Sequence, residues 1–552
     1  CMIKENIEIA YFSAEIGLSA DLPTYSGGLG VLAGDHIKAS ADAGLPMLGI
    51  SLLYKEGYFK QSIDKNGNQG ESYPRFKIGP DLSPLNDKFC IRVRSRDVWI
   101  QAYEYLHRSK SGHIIPIYFL DTDLDENLDE DRLITLRLYS GDKDHRVLQE
   151  SILGFGGISF LEMLGYSGIN KYHMNEGHSS FLTLALLEKY NGDEEKVRSM
   201  CHFTTHTPVA AGHDHFSIDR CKNLLGSLIP DNLKLPSTSD NRLHMTELGL
   251  YFSSTANGVS KLHGEVAQNQ FPDFNINYIT NGVYHPHWVG DSFCALFDDK
   301  LEGWRANPDL LRNLDIITDE EIQLAHKNQK KLLINHANTH TDEKLSNDVL
   351  TIGFARRAAE YKRASLVFSD IDRLAEMGKG KIQFIFSGKA HPKDLGGKDI
   401  IKEVIQNANT LADSIRVVFI ENYNMWLGRL ITSGVDLWLN TPIRPKEASG
   451  TSGMKATLNG VPNFSILDGW WAEGCMHKHN GWAIGSIDSC NDESDANSLY
   501  EILQNEIIKI YYSDKKSWTK IMRNSIQTGV DYTAHRMVLE YQNKYYKTKV
   551  KT

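Results

Sequence analysis

The stretch EASGTSGMKATLNG, Glu447 to Gly460, sets a run of small and polar residues ahead of a lysine. Glu447, Ser449, Gly450, Thr451 and Ser452 can wrap an anion or hydrogen-bond a polyol, and Lys455 falls in the first turn of the helix expected behind them. A free lysine amine, with a pKa of ~10.4, is a poor nucleophile at neutral pH. Beside other cations, or in a dry site, it loses its proton and can condense with an aldehyde. An amine for an aldehyde, with N–H and hydroxyl groups for a phosphate, is the set that pyridoxal 5'-phosphate requires. The plain alternative is a surface lysine on an ordinary helix. Strand-like runs on both sides, 435–440 and 462–467, instead place the loop at strand ends.

Other stretches add to this chemistry. FARRAAEYKRA, Phe354 to Ala364, carries Arg356, Arg357, Glu360, Lys362 and Arg363 directly after a strand pattern. Cations at a strand's carboxyl end suit a dianion such as inorganic phosphate, and a solvated helix face is the alternative. YSGGLGVLAGD, Tyr25 to Asp35, precedes a helical pattern. Gly27, Gly28 and Gly30 allow close backbone approach, and the helix start offers N–H groups to a phosphate or sugar oxygen. The spacing is neither GxGxxG nor a Walker A loop. His206 ends the strand pattern CHFTTH, where a neutral imidazole can meet a sugar hydroxyl; Asn281, in TNGV, offers both donor and acceptor. His206, His213 and His215 complete no metal-ligand spacing, so no metal is expected.

These residues need a scaffold. The chain has 552 residues, 41% of them apolar and 24% charged, which is too long for one ordinary domain. Continuous apolar runs such as IEIAYF, PMLGISLLY, HIIPIYFLD, NKYHMNE, CHFTTH and NINYITNGV alternate with helical patterns; LTIGFA, KIQFIFSG, IRVVFIE, VDLWLN and PNFSIL repeat the rhythm. Such runs predict parallel strands covered on both faces. The expectation is an α/β fold of two doubly wound, Rossmann-like domains facing across a cleft, with chemistry at the strand carboxyl ends. The boundaries read 1–288, a helical connection 289–345, and 346–552 with the last helices crossing back. A net charge of −10 argues against a nucleic-acid partner, and no run approaches the ~18 apolar residues of a membrane span. Seven cysteines without a CxxC pair, and no secretory pattern at the start, predict a cytoplasmic protein.

Taken together the motifs resemble the α-glucan phosphorylases of the glycogen, starch and maltodextrin family, in a short form without the long N-terminal regulatory extension. EASGTSGMK is similar to the family's pyridoxal-lysine signature and ARRAAEYKR to its phosphate-binding segment. YFSAEIG before YSGGLGVLAGD matches the start of the family core, and NEGHSS, TTHTPV, ITNGV and ENYN follow in family order, across residues 8–535. The resemblance implies a two-domain glycosyltransferase architecture (GT-B) and phosphorolysis of terminal α-1,4-glucosidic bonds, releasing α-glucose 1-phosphate with retention. It implies pyridoxal 5'-phosphate on Lys455, with Thr451, Ser452, Gly28, Arg356 and Tyr423 around the cofactor. Arg357 and Lys362 would bind substrate phosphate; Glu447, Ser449, Gly450, Gly27, His206 and Asn281 would hold the glucosyl unit. Lys455, Arg357, Lys362 and His206 are then the catalytic set, α-1,4-glucan and inorganic phosphate the partners, and a homodimer the family's common assembly. Glu15 and His178 match further cleft positions without an assigned step. Departures are Ala359 for a histidine, Val31 for an arginine and Thr205 for an asparagine. Two other readings remain: a glycogen-synthase-like sugar-nucleotide glucosyltransferase, against which the signature lysine argues, and a non-catalytic glucan-binding relative.

Overall fold

The computed structural model describes residues 4–488 and 490–547. The chain forms two α/β units. The first comprises residues up to Phe59, Tyr73–Thr280 and the segment from Met537; the second comprises Lys60–Ser72 and Asn281–Arg536.

In the first unit the strands Ile9–Ser13, Met47–Leu52 and Ile114–Asp121 lie side by side, and Lys171–Asn175, Cys201–Thr204, Thr255–Gly258 and Asn277–Tyr278 continue on the other side of Ile9–Ser13. All these neighbours are parallel. The strand order therefore reverses between Ile9–Ser13 and Lys171–Asn175, the switch point of a doubly wound sheet. The central strands are buried nearly throughout, as their unbroken apolar runs require. NINYITNGV differs from its expected strand: only Asn277–Tyr278 pairs, and Asn281 lies in the loop beyond. The sheet ends in an antiparallel hairpin, Ser83–Val93 with Arg96–Arg108, turning at Arg94 and Ser95, both at positive φ.

The last segment belongs to this unit through a buried polar chain. His36 Nε2 and His173 Nδ1 each lie 2.7 Å from the Tyr546 hydroxyl, and His173 Nε2 lies 2.7 Å from Thr204 Oγ1. His202 Nε2 meets Asn257 Oδ1 at 2.7 Å, and the Asn257 amide donates to the Tyr541 hydroxyl at 2.9 Å. Burial lowers His36 and His202 to about 3. An unfolded chain takes up these protons near the ordinary value of ~6.5, whereas the folded chain refuses them down to about 3. Stability is therefore complete above ~6.5 and declines as pH falls from there toward the folded values. The thermal midpoint should fall steadily from about pH 7 to about pH 4; a midpoint flat over that interval would contradict the buried neutral imidazoles.

The second unit holds a six-stranded parallel sheet in the order Arg416–Ile420, Ile382–Ser387, Leu350–Ala355, Leu437–Asn440, Asn463–Ile466, Gly481–Ile484. Its switch point lies between Leu350–Ala355 and Leu437–Asn440. The stretch expected as a separate connection, 289–345, packs within this unit. Its helix Asp319–His340 starts on a Thr318–Glu321 capping box and is fastened to the sheet by Asp436, which lies 2.8 Å from His326 Nε2 and 2.6 Å from Lys330 Nζ. Burial pushes the Asp436 carboxyl up, but Lys330 and His326 outweigh burial and hold it at about 2. Its contribution is present above the ordinary carboxylate value and lost as pH falls through about 2. Asp436→Ala leaves Lys330 buried and unpaired, so chemical denaturation should show a loss of ~3–5 kcal/mol.

The hairpin Lys60–Ile63 and Gln69–Ser72 is held on this unit by side-chain amides. Gln61 exchanges hydrogen bonds with Asn422 and donates to Gly388 O at 3.0 Å; Gln69 exchanges hydrogen bonds with Ala390. It thus caps the carboxyl ends of Ile382–Ser387 and Arg416–Ile420.

Candidate active site

The helix Thr451–Leu458 begins after Gly450, whose φ of +80° reverses the chain at the carboxyl end of Leu437–Asn440. Lys455 accordingly falls in the second turn, one turn later than the sequence pattern predicts. It is 5% exposed, and its ammonium lies 3.9 Å from the centroid of the Trp288 ring. Asn459 locks the two together: its amide donates to Lys455 O at 2.8 Å and to Trp288 O at 2.9 Å, and its oxygen accepts Gly290 N–H at 2.7 Å. Trp288 is a site residue that no motif singles out; only its place just after TNGV hinted at it.

Two hydroxyls beside this lysine helix, Ser449 Oγ and Ser452 Oγ, are buried without a hydrogen-bond partner among the described residues, as is Asn281 Oδ1. Buried orphans of this kind mark where a ligand's polar groups belong. They fit a phosphate-bearing cofactor whose aldehyde reaches the Lys455 amine. Tyr423 follows the strand Arg416–Ile420 and packs its hydroxyl against Gly428, where a Cβ would lie 2.5 Å away; burial pushes that hydroxyl up to about 12.

Glu447 organises the cations. Arg356, at the end of Leu350–Ala355, meets Glu447 Oε2 at 2.6 Å and donates to Asn440 Oδ1 at 2.6 Å, joining the two strands of the switch point. Lys362 Nζ lies 3.1 Å from the same Glu447 oxygen. Burial would raise the Glu447 carboxyl, but Arg356 and Lys362 outweigh it and hold it at about 2. Lys362, expected on substrate phosphate, is thus engaged by Glu447 here, while Arg357 is exposed. Arg363 is structural, donating to Thr441 O and Pro442 O and pairing with Asp495 at 2.9 Å.

In the first unit the glycine loop caps the helix Gly28–Asp42. Its amides are not all open to a ligand: Glu15 Oε1 accepts N–H groups from Ser26, Gly27 and Gly30 at 3.2, 3.2 and 2.8 Å. Glu15, without an assigned step in the sequence, therefore shapes this loop. A Cβ at Gly27 or Gly28 would meet open space, so these two positions face no packed neighbour. His206 lies 2.6 Å from Asn175 Oδ1 through Nε2, and its main-chain N–H donates to Glu176 Oε2 at 2.6 Å. Burial lowers the ring to about 4, which keeps it neutral at pH 7. Glu150, His178 and Asp214 bring oxygen and nitrogen atoms within 4.8 Å of one another. Arg146 already bonds Asp214 at 2.6 Å, and burial followed by Asp214 raises the Glu150 carboxyl well above the usual range. A guanidinium and a shared proton therefore balance that cluster.

Cations at a switch point, a buried lysine and orphaned hydroxyls define, within the second unit, a centre for a phosphate group and a polyol. Comparison with known proteins identifies the family. A family model described as carbohydrate phosphorylase matches residues 199–475. The chain is 38% identical to maltodextrin phosphorylase of Thermococcus litoralis, over 98% of this chain and 70% of that protein. It is 35% identical to glycogen phosphorylase of Mycobacterium tuberculosis, over 98% and 70%, and 34% identical to glycogen phosphorylase of Aquifex aeolicus, over 98% and 86%. The chain belongs to the carbohydrate phosphorylase family.

Proposed function

We propose that the protein is an α-glucan phosphorylase: it cleaves terminal α-1,4-glucosidic bonds of maltodextrin or glycogen with inorganic phosphate and releases α-glucose 1-phosphate with retention. The named relatives support phosphorolysis of a glucan. The single observation that carries the cofactor is the buried amine of Lys455 against Trp288, beside the unpartnered hydroxyls of Ser449 and Ser452.

Pyridoxal 5'-phosphate bound through Lys455 would supply a phosphate group able to exchange a proton with the substrate phosphate. Thr451 and Ser452 would hold that group by hydroxyl and N–H donors at the helix start. Arg356, Arg357 and Lys362 have the cations needed to hold two phosphates close against their repulsion. Since Arg356 and Lys362 now rest on Glu447, an arriving phosphate competes with that carboxylate for them. Glu447, Ser449 and Gly450 would accept and donate to glucosyl hydroxyls, and Asn281 would add a further oxygen. His206, neutral, would bond a sugar hydroxyl rather than carry charge. The reaction needs no carboxylate nucleophile, unlike that of most glycosidases.

A cytoplasmic setting belongs to the same proposal. The six described cysteines are all unpaired, which suits a reducing compartment, and no described helix is long and apolar enough to cross a membrane. A homodimer is proposed on the family resemblance. The deciding assay incubates the cofactor-loaded protein with maltodextrin and phosphate: glucose 1-phosphate is expected, and free glucose as the product would overturn the reading.

A further inference from the structure

Asp468 follows the strand Asn463–Ile466 and is 3% exposed. Its hydrogen bonds among the described residues go to main-chain amides: Oδ2 accepts Glu447 N–H at 3.0 Å and Oδ1 accepts Gly469 N–H at 2.8 Å. The next residue continues the grip, with Trp470 N–H donating to Ser449 O at 2.9 Å. Gly469, at φ +56°, approaches so closely that a Cβ would lie 2.3 Å from Ser449 O. The turn 468–470 therefore clamps the main chain of the loop 447–450 at two points, beneath the residues proposed to hold the glucosyl unit.

The charges around Asp468 are unequal. Glu447 acts on it from the clamped loop, Arg444 from the chain just ahead of that loop, and Arg356 from the end of Leu350–Ala355. Arg356 and Lys362 make their contacts with Glu447, which stays ionised. Burial first, and the Glu447 charge second, push the Asp468 carboxyl up to about 7. Two neighbouring carboxyls are thus driven apart, one fixed as an anion and one free to change charge at neutral pH.

We propose that Asp468 is a positioning residue of the phosphorolysis: ionised, it holds Glu447 and the loop 447–450 in the geometry that grips the glucosyl unit, and neutralised, it relaxes that hold. The inference rests on the phosphorolytic reading. A carboxylate accepting an N–H is a stronger partner than a neutral acid or amide, so protonation weakens the hold on Glu447 N–H, while the main-chain bond from Trp470 to Ser449 and the fold persist.

Asp468→Asn tests this, because asparagine has the same shape and is neutral at every pH. The quantity to measure is the wild-type to variant ratio of kcat/KM for maltodextrin across about pH 5.5 to 8.5. Inorganic phosphate and any bound phosphate group titrate alike in both enzymes, so the ratio removes them. The expected ratio is roughly tenfold at the alkaline end, the scale of one charge-assisted hydrogen bond, and near one at the acid end. It should follow one proton with a midpoint near 7, the value of Asp468 itself, and the KM for phosphate should match in the two enzymes. A ratio independent of pH would overturn the inference. If Asp468→Asn does not fold, Asp468→Glu keeps a carboxylate on a longer arm and should displace the acid limb; a limb identical to wild type would overturn it. Wild type that makes no glucose 1-phosphate fails before any variant is compared, and removes the phosphorolytic reading and this inference together.

Discussion

Lys455→Ala should abolish phosphorolysis while leaving the protein folded, with kcat down by at least ~10³-fold and the purified variant lacking the absorbance of bound pyridoxal phosphate. The size of the effect follows from what is removed, since a cofactor that carries the hard chemistry contributes nothing once its anchor is gone. The fold should survive because the change removes a buried cation that rests on an indole face. An alanine there sits well in the second turn of Thr451–Leu458, a helix that does not depend on the lysine for its cap. Added pyridoxal phosphate should not restore wild-type activity to the variant. Full activity in Lys455→Ala would end the cofactor assignment. Loss of activity with an unchanged melting curve separates this result from simple unfolding.

Glu447→Gln should produce the second largest effect, because one carboxylate serves two ends. It is the shared partner of Arg356 and Lys362, and its backbone lies at the head of the proposed sugar loop. Removing its charge leaves two buried cations short of a counter-ion, a change of ~3–5 kcal/mol when a buried pair is broken. The melting temperature should fall, and kcat/KM for maltodextrin should drop by ~10²-fold or more through lost hydrogen bonds to glucosyl hydroxyls. Added phosphate should recover part of the lost stability, since a dianion can take the place of the missing carboxylate between the two cations. Wild-type Glu447 titrates only near about 2, so it contributes no limb to activity at neutral pH. A variant with unaltered stability and unaltered kcat/KM would contradict the ion cluster and the sugar role at once.

Much of the second unit was legible because its strands are unbroken apolar runs. LTIGFA, KIQFIFSG, IRVVFIE, VDLWLN and PNFSIL each yield a strand at the expected place. The edge hairpin Ser83–Val93 and Arg96–Arg108 escaped that search because one face is exposed and its apolar residues alternate with charged ones. The hairpin at Lys60–Ser72 escaped for a different reason. Its partners Gly388, Ala390 and Asn422 lie more than three hundred positions away, and side-chain amides leave no periodic trace. The helical stretch 289–345 reads as a linker because it lacks strands, yet His326 and Lys330 converge on Asp436 and tie it into the sheet.

The lysine loop declared itself by composition, but its geometry did not. Gly450 at positive φ lets the helix start already at Thr451, earlier than the pattern suggests, and so leaves Lys455 in the second turn. The platform under that lysine, Trp288, sits far away in sequence. Glycines 27 and 28 predicted an open anion cradle, whereas Glu15 from the preceding strand end already occupies three of the amides there. Local pattern shows which residues can do chemistry; long-range contacts decide which of their atoms remain available.

The most direct test is reduction of the purified protein, as isolated and loaded with pyridoxal phosphate, by borohydride, followed by proteolysis and mass spectrometry. The peptide containing Lys455 should carry the reduced pyridoxal phosphate on the lysine amine. An unmodified Lys455 peptide, or the label on a different lysine, would contradict the account.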